Sequence, residues 1–217
     1  MKRSLLMALA LAGTVSTTFA QQPAGNAQAG AGKVAMCIGC HGIPSYQASF
    51  PEIHKVPMIS GQNAPYVAAA LQAYKKGERR HPTMRGLAAS LSDQDIADIA
   101  AYYADHGAGN PEVPETPAAA KADVAALLTK GACVSCHGAN FNKPIDGTYP
   151  KIAGQHADYL YVALRSYRTQ GNANIGRANP IMGGIVQQFS NAELKAMADY
   201  LASLPGDVRT VPQSRFR

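Results

Sequence analysis

Ile96, Ile99, Ala100 and Tyr103 recur at helical spacing and form one apolar stripe, and Leu194, Met197, Ala198 and Leu201 form another. A capping-box pattern precedes each stripe, Ser92 with Asp95 and Ser190 with Glu193, so each predicts a helix with a defined start. Tyr66, Ala70 and Tyr74 share one face of a helix predicted to begin near Pro65 and to stop before Gly77. Tyr159, Ala163 and Tyr167 do the same in a helix predicted over about Asp158–Thr169, ahead of Gly171. A first helix is predicted through Gln28–Met36 and again through Asp123–Gly131, each ending just before a pair of cysteines. The segments between helices are long, rich in Gly and Pro, and show little strand alternation. The predicted fold class is therefore all-α, with loops that need something to wrap around in so small a unit.

The matched patterns belong to an internal duplication. Cys37-Ile38-Gly39-Cys40-His41-Gly42 recurs as Cys133-Val134-Ser135-Cys136-His137-Gly138. Pro57-Met58-Ile59-Ser60-Gly61-Gln62 recurs as Pro150-Lys151-Ile152-Ala153-Gly154-Gln155, and Pro82-Thr83-Met84-Arg85-Gly86 as Pro180-Ile181-Met182-Gly183-Gly184. Between the copies, Pro111, Pro114 and Pro117 disfavour helix and favour an extended spacer. The expected organisation is domain one over 21–108, a linker over 109–118, domain two over 119–207 and a C-terminal tail over 208–217. Residues 1–20 read as a secretory signal peptide: Lys2 and Arg3, then an apolar run from Leu5 to Ala12, then small residues to Ala20. An exported, periplasmic chain is expected.

Composition sharpens this outline. Of 217 residues 47% are hydrophobic, too many for a disordered chain, and none is tryptophan. Two small domains with few aromatic residues would each need a staple, a metal or a cofactor. The formal charge of +6 includes Lys2 and Arg3. It is unevenly spread, +1 over 21–110, −2 over 111–120 and +5 over 121–217. An acidic partner or membrane surface is expected at domain two, and nucleic acid is not expected as a partner.

Four cysteines in an oxidising compartment would ordinarily form disulfides, but their spacing points elsewhere. Cys-x-x-Cys-His is the attachment sequence of c-type haem. Two thiols three positions apart on a helical turn can reach the two vinyl groups of one porphyrin, and the adjacent histidine falls beneath the iron. The expected cofactors are two covalently bound haem c groups, on Cys37 and Cys40 and on Cys133 and Cys136, with His41 and His137 as axial iron ligands. The rival readings are a thioredoxin-like redox pair, which lacks its βαβ setting, structural disulfides, which leave the histidines unexplained, and zinc. Zinc would need a fourth ligand from His54 or His81 in one copy and His156 in the other.

The duplication selects Met84 and Met182 as the opposite axial ligands, since both occupy one repeat position. Met58 and His81 are rivals, but their repeat partners are Lys151 and Asn179. Met36 and Met197 read as core residues. Iron with both axial positions filled moves single electrons, so an electron carrier is expected and no catalytic residues are assigned. Pro57 and Pro150 could present carbonyls to the two histidines. Tyr66, Tyr74, Tyr159 and Tyr167, with Arg79, Arg80, Arg85, Arg165, Arg168 and Arg177, are candidates to line the cofactor or meet its propionates.

These residues together resemble the cytochrome c4 family: the duplicated Cys-x-x-Cys-His, the Pro-x-Ile-x-Gly-Gln segment, the methionine segment and the Ser-x-x-Asp/Glu opening of the last helix. The resemblance covers almost all of the chain after residue 20. It implies two tandem class I cytochrome c-like domains joined by the Pro-rich linker and facing each other across a pseudo-twofold axis. It also implies electron transfer in the periplasm between a redox donor and acceptor, such as a quinol-oxidising complex and a terminal oxidase, by a monomer loosely attached to the membrane. The alternative is a dihaem subunit of a dehydrogenase, such as a flavin-dependent sulfide-oxidising enzyme. A dihaem oxidoreductase is a third. The chain departs from the family in having Met58 where Lys151 stands in the second copy, and in a loop from Ile43 to Val56 that is less glycine-rich than its counterpart.

Overall fold

The computed structural model describes residues 23–107 and 113–212. The expected signal peptide, part of the proline-rich spacer and the last five residues lie outside the described residues. The first copy contains α1 (Ala27–Ala31), α2 (Ala35–His41), β1 (Gln47–Ala48), β2 (His54–Lys55), α3 (Ala64–Lys76), β3 (Arg79–Arg80), α4 (Pro82–Ala89) and α5 (Asp93–Asp105). The second contains α6 (Ala122–Lys130), α7 (Val134–His137), α8 (Ala157–Ser166), β4 (Gly176–Arg177), α9 (Pro180–Val186) and α10 (Asn191–Ser203). The architecture is all-α in its mass. The strands are two antiparallel pairs of two residues each, β1 with β2 inside the first copy and β3 with β4 between the copies.

Three helical details differ from the sequence expectation. The single helix expected over Gln28–Met36 is two, because Gly32 caps α1 and the chain restarts at Ala35. The new helix then runs through Cys37, Cys40 and His41 instead of stopping before them. The methionine segments, expected as loops, are the short helices α4 and α9, each with proline in its first turn where a missing N–H costs nothing. Both capping boxes form as expected, Ser92 with Asp95 and Ser190 with Glu193.

The second copy is built on the larger core, where Phe141, Phe189, Leu160, Leu194, Met197, Leu201 and Leu204 pack together. Met197 is thus a core residue, as expected. Met36 is not: it is 60% exposed, on a helix that buries none of its residues. In the first copy the apolar clusters are smaller, Val67, Ala68, Ile96 and Ala100 in one and Val34, Ile99 and Tyr103 in another. A polar clip supplements them. Lys33 Nζ lies 2.7 Å from both Asp95 and Asp98, and Asp98 also accepts the Asn26 N–H at 2.8 Å. The bonds from Lys33, the Asn26 N–H and Gln94 hold the Asp98 carboxyl below the usual range.

The clip works because α1 lies almost against the backbone of α5. A Cβ on Gly30 would stand 2.2 Å from the Asp98 carbonyl oxygen and 2.7 Å from Tyr102 Cβ. Neither obstacle is a flexible side-chain tip. Gly30→Ala is therefore expected to destabilise the protein by about 1–3 kcal/mol, the usual cost of overpacking. The midpoint of denaturant unfolding followed by circular dichroism checks this, with Gly32→Ala, which meets only Ala29 O at 3.6 Å, as the comparison.

Candidate haem sites

Each site starts from a short helix. In α2 the 3.6-residue turn places Cys37, Cys40 and His41 around one end of the helix, and α7 with Cys133 at its N-cap does the same for Cys136 and His137. None of the four cysteines forms a disulfide. Among the described residues no group of three or more His, Cys, Asp or Glu side chains converges as a zinc site would require.

Each histidine is fixed by the recurring proline. His41 Nδ1 is 2.8 Å from the Pro57 carbonyl oxygen and His137 Nδ1 is 3.0 Å from that of Pro150. A carbonyl only accepts, so Nδ1 carries the proton and Nε2 keeps a free lone pair in both rings. Burial pulls both imidazoles below their usual pKa, which keeps them neutral and fit to bind a metal.

Met84 and Met182 lie at matching positions in α4 and α9. The residue three places before each caps its helix, His81 Nδ1 accepting from Met84 N–H at 3.5 Å and Asn179 Oδ1 from Met182 N–H at 2.9 Å. His81 thus has a structural task that Asn179 shares. Met182 packs on the large core.

The expected tyrosines and two of the six arginines meet between the copies. β3 pairs with β4 so that Arg79 faces Arg177. Arg79 donates to Tyr66 Oη at 3.3 Å and to Tyr159 Oη at 3.4 Å, and Arg177 donates to Tyr159 Oη at 3.1 Å. Each guanidinium also lies over a repeat-related ring, Arg79 over Tyr74 at 4.9 Å and Arg177 over Tyr167 at 5.4 Å. Burial pushes the Tyr159 phenol up, but Arg177 and Arg79 outweigh it and bring it down to about 8. The other arginines are occupied elsewhere: Arg165 pairs with Glu52 at 2.6 Å, Arg168 donates to the Phe189 carbonyl at 2.8 Å and Arg80 to that of Asn172 at 2.8 Å. Arg85 is exposed.

This donor set fits haem c. Neither Arg79 nor Arg177 is in an ion pair among the described residues, and Arg79 Nε is buried without a partner. Two half-buried cations without a carboxylate suit a cofactor that brings acidic groups of its own. Apolar side chains beside each attachment motif stand open, Met36 and Ile43 in the first copy and Val134 and Ile145 in the second, as does Ile181 next to Met182. A large apolar cofactor would cover such surface.

The sequence reading did not assign a role to Gln62, Gln155, Glu52 or Asp158. The signal for the glutamines was present in their recurrence at the end of both Pro-x-Ile-x-Gly-Gln segments. Nothing in the sequence marked Glu52 and Asp158, whose partners Arg165 and Lys55 lie more than a hundred residues away.

Comparison with known proteins agrees with the geometry. Residues 122–205 match the cytochrome c family model. The chain is 31% identical over 204 residues to cytochrome c4 of Azotobacter vinelandii, covering 88% of this chain and 95% of that protein. It is 31% identical to a thiosulfate dehydrogenase electron acceptor of Stutzerimonas stutzeri, covering 82% and 83%. The crystal structure of reduced recombinant cytochrome c4 from Pseudomonas stutzeri superposes with a TM-score of 0.60 at 29% identity, covering 83% of this chain and all of that one. With two attachment motifs, two carbonyl-fixed histidines and this likeness along most of its length, the chain belongs to the cytochrome c4 family and is a c-type cytochrome that carries two covalently bound haem c groups and transfers single electrons.

Proposed function

We propose that Cys37 and Cys40 hold one haem and Cys133 and Cys136 the other, with His41 and Met84 as axial ligands of the first iron and His137 and Met182 of the second. The observation that carries this is the hydrogen bond from each motif histidine to a proline carbonyl, which leaves Nε2 as the free nitrogen in both copies. When bound, haem iron supplies a one-electron change between ferrous and ferric states. The cysteines tether the cofactor so that it is not lost in an open compartment. The histidines present a neutral nitrogen in one orientation, and Met84 on α4 and Met182 on α9 would supply the thioethers that complete each iron's coordination. Arg79 and Arg177 meet the propionates. The chain works as an electron carrier and not as an enzyme, because no coordination position is left for a substrate.

The working unit runs over 21–108 and 119–207 with the 109–118 spacer between, after export to the periplasm and removal of residues 1–20. No helix among the described residues is long and apolar enough to cross a membrane. The donor and acceptor are redox proteins, such as a quinol-oxidising complex and a terminal oxidase. A second reading, an electron-accepting subunit for a dehydrogenase, is favoured by the likeness to the thiosulfate dehydrogenase electron acceptor.

The native ferrous protein is expected to bind no carbon monoxide. Met84→Ala and Met182→Ala are each expected to bind one equivalent, read in the visible spectrum, and rapid binding by the native protein would overturn the carrier reading. Alkylation of the denatured holoprotein is expected to find no free thiol among the four cysteines. The +5 charge over 121–217 further implies that electron transfer to an acidic partner slows as salt rises, measured by stopped flow across ionic strength.

A further inference from the structure

Gln62 and Gln155 are both buried, and each crosses to the other copy. Gln155 Oε1 accepts the Met58 N–H at 3.0 Å, and its Nε2 donates to the Met58 carbonyl at 2.8 Å. Gln62 Oε1 accepts the Lys151 N–H at 2.9 Å, and its Nε2 donates to the Lys151 carbonyl at 2.9 Å. Each Oε1 also takes the N–H of its own next residue, Asn63 or His156, at 3.0 Å. Two N–H donors converge on each Oε1, so the amides cannot be reversed without leaving those donors unpaired. Gly61 and Gly154 precede the glutamines with φ of +84° and +73°, a turn that favours glycine and aims the next side chain across the interface.

Met58 N–H and Pro57 C=O are the two ends of one peptide group, and Pro57 C=O is the acceptor for His41 Nδ1–H. Lys151 N–H and Pro150 C=O are likewise one peptide group, which holds His137. A peptide whose N–H is bonded carries more negative charge on its oxygen, because successive hydrogen bonds polarise one another. A stronger acceptor at Nδ1 makes the imidazole a more basic ligand at Nε2. A more basic axial ligand favours ferric over ferrous iron and lowers the reduction potential.

We propose that Gln155 and Gln62 are positioning residues acting in trans, each setting the strength of the carbonyl that holds the axial histidine of the opposite copy. The potential of each haem is then tuned by a residue of the other copy. The proposal rests on His41 and His137 being the axial ligands.

The test is a spectroelectrochemical titration of the holoprotein, with Gln155→Leu and Gln62→Leu beside the native chain. Each wave is assigned to its haem by the hyperfine-shifted proton resonances of the axial side chains. Gln155→Leu is expected to raise the potential of the haem on Cys37 and Cys40 and leave the other unmoved. Gln62→Leu is expected to do the reverse. Exchange of the His41 Nδ1 proton with solvent should also quicken in Gln155→Leu, and that of His137 in Gln62→Leu. If leucine prevents haem loading, Gln155→Met and Gln62→Met serve the same measurement. Equal shifts of both haems in each variant would show a general loosening of the interface and overturn the proposal. Shifts confined to the glutamine's own copy, or no shift, would overturn it as well. If the His41 and His137 ring protons are not hyperfine-shifted in the native protein, the ligation reading itself fails, and that result is distinct from the others.

Discussion

In both copies a proline carbonyl engages one nitrogen of the motif histidine and leaves the other free to bind a metal. Much of the local architecture serves that bond. The cysteine helix sets where the ring starts, and the loop after it must return a carbonyl to the ring from the far side. Proline suits the position because it offers no N–H of its own and its φ is fixed. The glycine three residues before the next helix turns the chain, and the glutamine after it locks the returning loop of the opposite copy. The two loops therefore hold each other in place, and neither histidine is oriented by its own copy alone.

The two copies solve the packing problem differently. The second has Phe141 and Phe189 in one continuous core. The first has two smaller clusters and relies on Lys33, Asp95 and Asp98 to tie its opening helix to its last. Its loop after His41 is used as an arm. Glu52 reaches Arg165, and Lys55 meets Asp158 through both its N–H at 3.0 Å and its Nζ at 3.3 Å. The interface thus has a repeat-related centre of glutamines, tyrosines and arginines, flanked among the described residues by ion pairs on one side only.

Much of this was legible in the sequence because duplication made the signal appear twice. The apolar stripes, both capping boxes and the helices after Pro65 and His156 followed from periodicity and end signals. The cysteine spacing carried the cofactor chemistry, and the repeat register is what favours Met84 and Met182 over Met58 in the proposed ligation. What periodicity could not show was local or distant. The break at Gly32 and the helical form of the methionine segments depend on a turn or two of backbone, too short to leave a periodic trace. Met36 looked like core because it is apolar and stands beside the motif, yet its helix buries nothing. Six arginines looked alike, and only tertiary pairing shows that Arg79 and Arg177 have no carboxylate partner among the described residues while Arg165 is committed to Glu52.

The segment after α10 does not stay with the second copy. After α10 it passes Gly154 closely and buries Val208. Arg209 then pairs with Ser60 of the first copy, its N–H donating to the Ser60 carbonyl at 3.0 Å and its carbonyl accepting the Ser60 N–H at 3.3 Å. Its guanidinium reaches the Gly107 carbonyl. Ser60 lies two residues from Met58, inside the segment that Gln155 grips. During synthesis, the first copy leaves the ribosome with this edge open, and the segment that closes it is made only after the second copy. Duplication gave this protein two similar halves, but the chain is laced so that the segment following the second copy completes an edge of the first, and the two assemble together.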